Sequence, residues 1–149
     1  MGMGSRRRGR EIARQILYQL DVQEQLSDEQ ALALFWHHFA ENPEEDDGDE
    51  ARGFAERLVR GVREKLAEID ALLTKASKNW RLERMARVDR NLLRLALWEL
   101  KWSADVPAKV AINEAIEIAK RYGTSESAAF VNGILDRCLE ELGRKEPRE

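Results

Sequence analysis

The sequence contains little cysteine, and it has no long apolar run. Cys138 is the single cysteine among 149 residues, so no disulfide can form within the chain, and a reducing, cytoplasmic location is expected. No apolar run approaches the roughly 20 residues that a membrane-spanning helix needs. The amino terminus carries arginines but no apolar segment of the kind found in secretion signals. These absences exclude a disulfide-stabilised scaffold and predict no membrane segment.

The sequence also lacks the short motifs on which common enzyme sites are built. It contains no glycine-rich phosphate loop, no GxSxG and no HExxH. His37 and His38 are adjacent, so on a helix they point about 100° apart and do not suit one metal ion. Cys138 falls on an apolar helical stripe, which is typical of a core residue. We therefore predict no catalytic residue, no metal site and no cofactor.

Charge is abundant but unevenly distributed. The formal net charge is −3, yet residues 1–14 hold five arginines and one glutamate, a net charge of +4. The segment Glu41–Glu50 is the opposite, since seven of its ten residues are acidic. Pro43 and Gly48 break helical structure there, which predicts a solvated loop. A basic cluster at one end of an acidic chain indicates a nucleic-acid partner.

Apolar residues recur at helical spacing through most of the chain. Ile12, Ile16 and Leu20 predict a first helix over about residues 7–24, and Ser27 is a candidate cap for the next. Residues 84–102 are apolar on most sides, which predicts a central, buried helix. Gly123 is expected to end the predicted helix over residues 108–122. The remaining predicted helices cover residues 28–41, 51–73, 108–122 and 124–143. With no strand alternation and no internal repeat, the prediction is an all-α fold packed as helical bundles.

Part of the basic cluster forms a regular row. Arg6, Arg10 and Arg14 are four residues apart, so they share one face of the first helix, and we expect that face to be exposed. The planar guanidinium group suits phosphate, and such contacts make binding salt-sensitive. Gly9 interrupts the cluster, so the first turn is expected to fray. On charge alone, a solvated tail that only aids solubility explains the row equally well.

The aromatic residues are expected mostly in the core. This applies to Trp36, Trp80, Trp98 and Trp102. Phe130 differs because it follows the turn at Gly123, near a helix start, where a ring can stack on a base. Periodicity alone still favours a core position for Phe130.

Three stretches together resemble the NusB family of bacterial transcription antitermination factors. They are RRRGREIARQILYQLD (Arg6–Asp21), VDRNLLRLALWEL (Val88–Leu100) and VPAKVAINEAIEIAKRYGTSESAAFVNGILD (Val106–Asp136). The third is the most specific, and the similarity is weakest over residues 27–49. The stand-alone factor is expected rather than the related helical domain of ribosomal RNA methyltransferases.

The resemblance implies both a fold and a function. The fold is a NusB-like bundle of about seven helices in one domain over residues 1–149, with an amino-terminal subdomain over about 6–76 and a carboxy-terminal one over about 77–143. The function is antitermination, in which the chain binds single-stranded boxA RNA of ribosomal leader transcripts together with NusE, a small-subunit ribosomal protein. NusA, NusG and RNA polymerase are implied as indirect partners. The acidic remainder of the chain suits a basic partner.

The resemblance also implies site residues. Arg14 extends the arginine row, and Glu126 lies in the turn beside Phe130. The RNA-binding residues expected on these grounds are Arg6, Arg7, Arg8, Arg10, Arg14, Glu126 and Phe130. The NusE-facing residues expected are Tyr18 and Asp89.

The sequence departs from the family pattern in two places. Ala129 stands before Phe130, where relatives often carry a basic residue, so RNA binding would be weaker or would shift to Lys109, Lys120 or Arg121. The long acidic segment Glu41–Glu50 repels RNA and is expected to face away from the arginines. These departures motivate an alternative, a helical protein–protein scaffold of the same fold that does not bind RNA. A homodimer also stays open.

Overall fold

The computed structural model describes residues 3–41 and 48–144, and these residues are mainly helical. They contain no β-strand. The helices are α1 (Met3–Val22), α2 (Asp28–Glu41), α3 (Asp49–Glu64), α4 (Leu66–Ala76), α5 (Arg87–Trp102), α6 (Ala108–Tyr122) and α7 (Ser127–Leu142), with a short 3₁₀-helix at Leu82–Arg84. The prediction of an all-α fold with about seven helices is confirmed. Most of the segment predicted as an acidic loop, residues 42–47, lies outside the described residues.

The chain divides into two compact units, Met1–Glu64 and Lys65–Glu149. The subdomain boundary expected from the sequence lies later, at about residue 76. Apolar spacing is continuous over residues 51–73, which predicts one helix, but α3 ends at Glu64 and α4 begins at Leu66. Helix α4 packs on α5 and α7, so it belongs to the second unit.

In the first unit, α1 packs mainly against α3, and α2 contacts both. The predicted stripe of Ile12, Ile16 and Leu20 is buried. The start of α2 is capped as the sequence predicted: the backbone N–H of Gln30 donates to Ser27 Oγ (3.1 Å), and the backbone N–H of Ser27 donates to Gln30 Oε1 (2.9 Å). This reciprocal pair satisfies two donors at the helix start.

Gly9 is a packing residue of the first unit. A Cβ atom at this position would lie 2.8 Å from Cδ2 of Phe54 and 3.1 Å from the carbonyl oxygen of Ala51. Only glycine allows α1 and α3 to approach so closely there. Helix α1 is continuous from Met3, so the expectation of a frayed first turn is wrong.

In the second unit, α5 is the central helix, as predicted. Eleven of its 16 residues are buried, and it packs on α4, α6 and α7. Trp98 lies in this core, but Trp80 is 55% exposed, so the core position expected for Trp80 is wrong. Trp80 lies in the non-helical segment between α4 and the 3₁₀-helix, where helical spacing does not apply.

The turn between α6 and α7 is tight. Gly123 ends α6 as expected, but with an extended backbone rather than a left-handed one. A Cβ atom on Gly123 would lie 2.3 Å from Ser127 Oγ, which itself accepts a hydrogen bond from the backbone N–H of Thr124 (2.9 Å). Close approach, and not an unusual φ angle, therefore requires glycine. This turn places Glu126 and Phe130 at the start of α7.

Candidate nucleic-acid interface

The arginine-rich start of α1 is folded onto α3. The guanidinium carbons of Arg6 and Arg10 lie 5.0 and 5.2 Å from the centroid of the Phe54 ring. Arginine is weakly hydrated and planar, so it stacks readily on an aromatic face. One ring on α3 therefore positions two of the predicted RNA-binding residues.

The prediction that Arg6, Arg10 and Arg14 form an exposed row is wrong for two of the three. Arg10 is 2% exposed and Arg14 is 9% exposed. Ala13 and Leu17 are buried as well, so the buried face of α1 is wide enough to include the neighbouring arginines. Direct contact with a ligand therefore falls mainly to the other arginines of the cluster.

Three arginines of α1 keep surface open to solvent. Arg7 is exposed, and Arg6 and Arg8 are half-buried. Arg8 forms an ion pair with Glu11, with 3.5 Å between Nη1 and Oε1. The accessible charge at the start of α1 is thus smaller than the sequence indicates, but it is held on a folded surface.

A groove of about 470 Å³ lies between α1 and α2. Its lining combines the Arg8 side chain and two amides with exposed apolar surface at Leu34. The lining residues are Arg8, Gln15, Ile16, Gln19, Ala31, Leu34, Phe35 and His38. No sequence pattern indicated this groove, because helical spacing does not show how two consecutive helices pack on each other.

The remaining predicted RNA-binding residues, Glu126 and Phe130, lie in the second unit. They line a cavity that also contains Asp89, and we call it the Asp89 cavity. This cavity has a volume of about 210 Å³ and is lined by Trp80, Arg84, Met85, Ala86, Asp89, Thr124, Glu126 and Phe130. The rings of Trp80 and Phe130 meet edge to face, with centroids 5.6 Å apart and an interplanar angle of 80°. Phe130 is half-exposed and Glu126 is exposed. Phe130 is therefore a rim residue and not the core residue that periodicity favours.

Asp89 lies in the wall of the same cavity. It occupies the first turn of α5, it is 9% exposed, and its Oδ1 atom accepts no hydrogen bond from the described residues. The family resemblance implied that Asp89 and Tyr18 both belong to the partner-facing surface. Tyr18 is 37% exposed, whereas Asp89 is mostly buried in the cavity wall. The role of both residues as partner contacts stays a prediction.

A second basic cluster was missed at the sequence level. Lys78, Arg81, Arg84 and Arg87 are all exposed, and Trp80 stands among them. No ion pair involves these four side chains within the described residues. The available signal was four cations and an aromatic residue within ten positions, but residues 77–80 were interpreted only as a helix break. We call residues 78–87 the basic segment.

The cations offered as substitutes for a basic residue at position 129 are also at the surface. Lys109, Lys120 and Arg121 are exposed. Lys120 is paired with Glu117 at 3.4 Å, and Arg121 lies over the Tyr122 ring, 5.9 Å from its centroid.

The described residues offer no evident centre for catalysis. They contain no cluster of three or more residues able to hold a metal ion. His37 instead lies 3.5 Å from Glu41 in an exposed pair. Burial raises the pKa of the Cys138 thiol to about 11, so this thiol is neutral near pH 7, as expected of a core residue. Within the described part of the chain, no helix is long and apolar enough to span a bilayer.

Comparison with known proteins identifies the family. The model of the NusB family matches residues 7–140. The chain belongs to the NusB family. The transcription antitermination protein NusB of Sorangium cellulosum is 51% identical over 142 residues, which cover 95% of this chain and 96% of that protein. The Myxococcus xanthus NusB is 49% identical over 142 residues, covering 95% of this chain and 99% of that protein.

Solved structures of NusB proteins have the same fold as this NusB-family chain. The structure of T. maritima NusB is 42% identical with a TM-score of 0.79, and the match covers 91% of each chain. A crystal structure of the antitermination factors NusB and NusE in complex with double-stranded RNA has a TM-score of 0.80 at 24% identity, covering 93% of this chain and 98% of that chain. The resemblance seen in three sequence stretches is thereby confirmed. The relatives are antitermination proteins, so the prediction that the chain is not an enzyme is also confirmed.

Proposed function

We propose that this NusB-family chain acts in transcription antitermination by binding single-stranded boxA RNA of ribosomal leader transcripts together with NusE. The observation that carries the RNA assignment is the arginine-rich start of α1, held in place by Phe54. A cationic surface that is already ordered loses less conformational entropy when it binds phosphate. NusA, NusG and RNA polymerase are its indirect partners, and the cytoplasm is its location.

The five arginines of α1 divide into two roles. Arg6, Arg7 and Arg8 keep surface open to solvent and contact the phosphate backbone directly. Arg10 and Arg14 are buried, so they act by positioning the helix and adding positive potential near the RNA. Glu126 and Phe130 contact RNA at the second unit, where the half-exposed ring can stack on a base.

Tyr18 is the residue of the first unit proposed to contact NusE. Its ring is partly exposed on α1, and an aromatic residue with a hydroxyl group is well suited to an interface. The net charge of −3 favours association with a basic ribosomal protein.

The proposal is tested by titrating a fluorescent boxA 12-mer with the full chain, with and without NusE from the same organism, at several salt concentrations. Each phosphate contact to single-stranded RNA contributes a salt slope of about 0.7, so Arg7→Ala/Arg8→Ala should lower the slope by about 1.4. The matched control is Lys75→Ala/Arg137→Ala, which removes two exposed cations of the second unit. We expect the control to keep the wild-type slope. Equal slopes for all three proteins would reject the arginine assignment.

One observation favours the scaffold alternative. Burial of Arg10 and Arg14 removes two of the five arginines from direct phosphate contact. A scaffold of this fold would associate with NusE, and the complex would bind the 12-mer no more tightly than NusE alone. The same titration therefore separates the two functions.

A further inference from the structure

We propose that the groove between α1 and α2 is a docking site for an acidic amphipathic helix of a partner protein. Leu34 and Phe35 supply its apolar contacts, and Arg8 binds a carboxylate of the partner. The inference goes beyond the proposed function, since it requires neither RNA nor NusE. We call this surface the α1–α2 groove.

The α1–α2 groove is depleted of charge. Charged residues make up 36% of the chain, yet Arg8 is the only arginine or lysine among the eight lining residues, and none of the eight is acidic. Leu34 is 61% exposed, more than any other large apolar residue that the structure describes, and Gln15 and Gln19 are exposed beside it. Exposed apolar surface with few charges is typical of the centre of a protein–protein interface.

Helix α2 is held from its other side, so the groove is already formed. Arg63 Nε donates to Oδ1 of Asp28 (2.9 Å), and Trp36 Nε1 donates to Oε2 of Glu56 (2.6 Å). These hydrogen bonds tie α2 to α3, whereas only two of the described side chains of α2 are buried. A groove that needs no rearrangement loses little conformational entropy when a ligand docks in it.

The dimensions of the groove suit a helix. At 1.5 Å per residue, the α1 wall from Arg8 to Gln19 is about 16 Å long, which corresponds to about three helical turns. The buried Ile16 and the exposed Leu34 both line this length. An amphipathic helix lying along it would present apolar side chains at i, i+3, i+4 and i+7 to these residues.

The charge at one end of the groove determines which partner helix fits. Arg8 lies toward the start of α1, where Arg6 and Arg7 add positive potential. Arg8 already pairs with Glu11 at 3.5 Å, but its side chain is only half-buried and a guanidinium group has five N–H donors, so it can also bind a carboxylate of the partner. A cationic helix would be repelled at this end.

The same lining does not suit RNA. Beyond Arg8 it offers no further arginine or lysine for successive phosphates, and its exposed apolar side chain is an aliphatic leucine rather than a ring on which a base could stack. A protein helix is therefore the occupant that matches both the apolar surface and the single cation.

The test uses two fluorescein-labelled helical peptides, each about 14 residues long so that it spans the groove. Both have leucine at i, i+3, i+4 and i+7 among alanines and glutamines. The acidic peptide carries glutamate at each end, and the basic peptide carries lysine there. Binding to the full chain is measured by fluorescence anisotropy without RNA. We expect the acidic peptide to bind about tenfold more tightly, because an ion pair with Arg8 replaces a repulsion.

Two charge reversals locate this preference. Arg8→Glu should reverse it, so that the basic peptide binds more tightly. The matched control is Arg57→Glu, which makes the same change of net charge at an exposed position of α3 and should keep the wild-type preference.

The apolar contact is tested separately. Leu34→Ala should weaken binding of both peptides roughly fivefold, since apolar area is lost from the interface. Val22→Ala should leave both affinities unchanged, because Val22 is an exposed apolar residue of α1 that does not line the groove. In NMR spectra, the side-chain amide signals of Gln15 and Gln19 should shift when the acidic peptide is added. Circular dichroism checks that each variant is folded.

Three results would overturn the proposal. Equal affinity of the wild type for the two peptides would remove the role of Arg8, and binding of neither would reject the groove as a docking site. A wild-type dimer in sedimentation that Leu34→Glu dissociates would show that a second copy of this chain covers the groove instead. None of these results bears on the boxA titration, so failure of this proposal and failure of the proposed function are distinguishable.

Discussion

Gly9 of α1 lies against the Phe54 ring of α3 so closely that a Cβ atom on Gly9 would be 2.8 Å from Phe54 Cδ2. The same ring lies under the guanidinium groups of Arg6 and Arg10. The contact between α1 and α3 and the placement of Arg6 and Arg10 therefore share one aromatic residue, Phe54. The glycine that separates Arg8 from Arg10 in the sequence is what allows this ring to approach the helix.

Gly9→Ala should destabilise the protein by about 1–3 kcal/mol, because the added methyl group overpacks the contact with Phe54. The matched control is Gly53→Ala, since Gly53 lies within α3 and a Cβ atom there has no neighbour within 4 Å. That control should stabilise the protein by about 0.5–1 kcal/mol through helix propensity. Urea denaturation followed by circular dichroism measures both. Equal effects of the two substitutions would contradict the packing role of Gly9.

Phe54→Leu should weaken boxA binding several-fold, although Phe54 is not proposed to touch RNA. Leucine keeps an apolar contact but lacks the ring face, and a cation–π contact contributes about 0.5–2 kcal/mol. Arg6 and Arg10 then lose the surface that positions them. Phe54→Tyr keeps the ring and should retain the affinity. Affinity unchanged in Phe54→Leu, with the fold intact, would show that the arginines are positioned by other contacts.

Stability should fall between about pH 9 and pH 11 through the Cys138 thiol. Burial raises its pKa from 9.0 to about 11, so the unfolded chain releases the thiol proton at a lower pH than the folded chain. The contribution is fully present below pH 9 and is lost as the pH rises through 11, at about 1.4 kcal/mol per pKa unit. It is measured as the pH dependence of the difference in unfolding free energy between the wild type and Cys138→Ala. A difference that stays constant from pH 8 to pH 11 would exclude this linkage.

Much of the fold was predictable because helical spacing is a local property. Spacing located α2 and α6, and the serine at position 27 marked the start of α2. Helical spacing did not predict the break at Lys65, between the end of α3 at Glu64 and the start of α4 at Leu66, because the apolar pattern continues across it. A break of this kind is set by which neighbours each half packs on, and those neighbours are distant in the sequence.

The candidate site was predictable only in part for the same reason. The sequence and its family resemblance singled out the arginines of α1, Phe130 and Asp89. Periodicity did not indicate that Arg10 lies over Phe54, a residue 44 positions later, and is therefore buried. Nor did it indicate that Asp89 shares a cavity with Phe130 and an exposed Trp80. Charge and spacing identify which residues could contact a ligand, but tertiary packing decides which of them are accessible.

The turn before α7 leaves no space for a side chain at position 123, since Ser127 Oγ occupies the place of a Cβ atom. Any larger residue there would have to displace the beginning of α7. Glu126 and Phe130 would then shift together. A substitution at Gly123 would therefore have the same phenotype as the loss of both side chains, although it changes neither of them. In a genetic screen for loss of antitermination, alleles at Gly123 would be hard to tell from alleles of the binding residues until the helix start itself is examined.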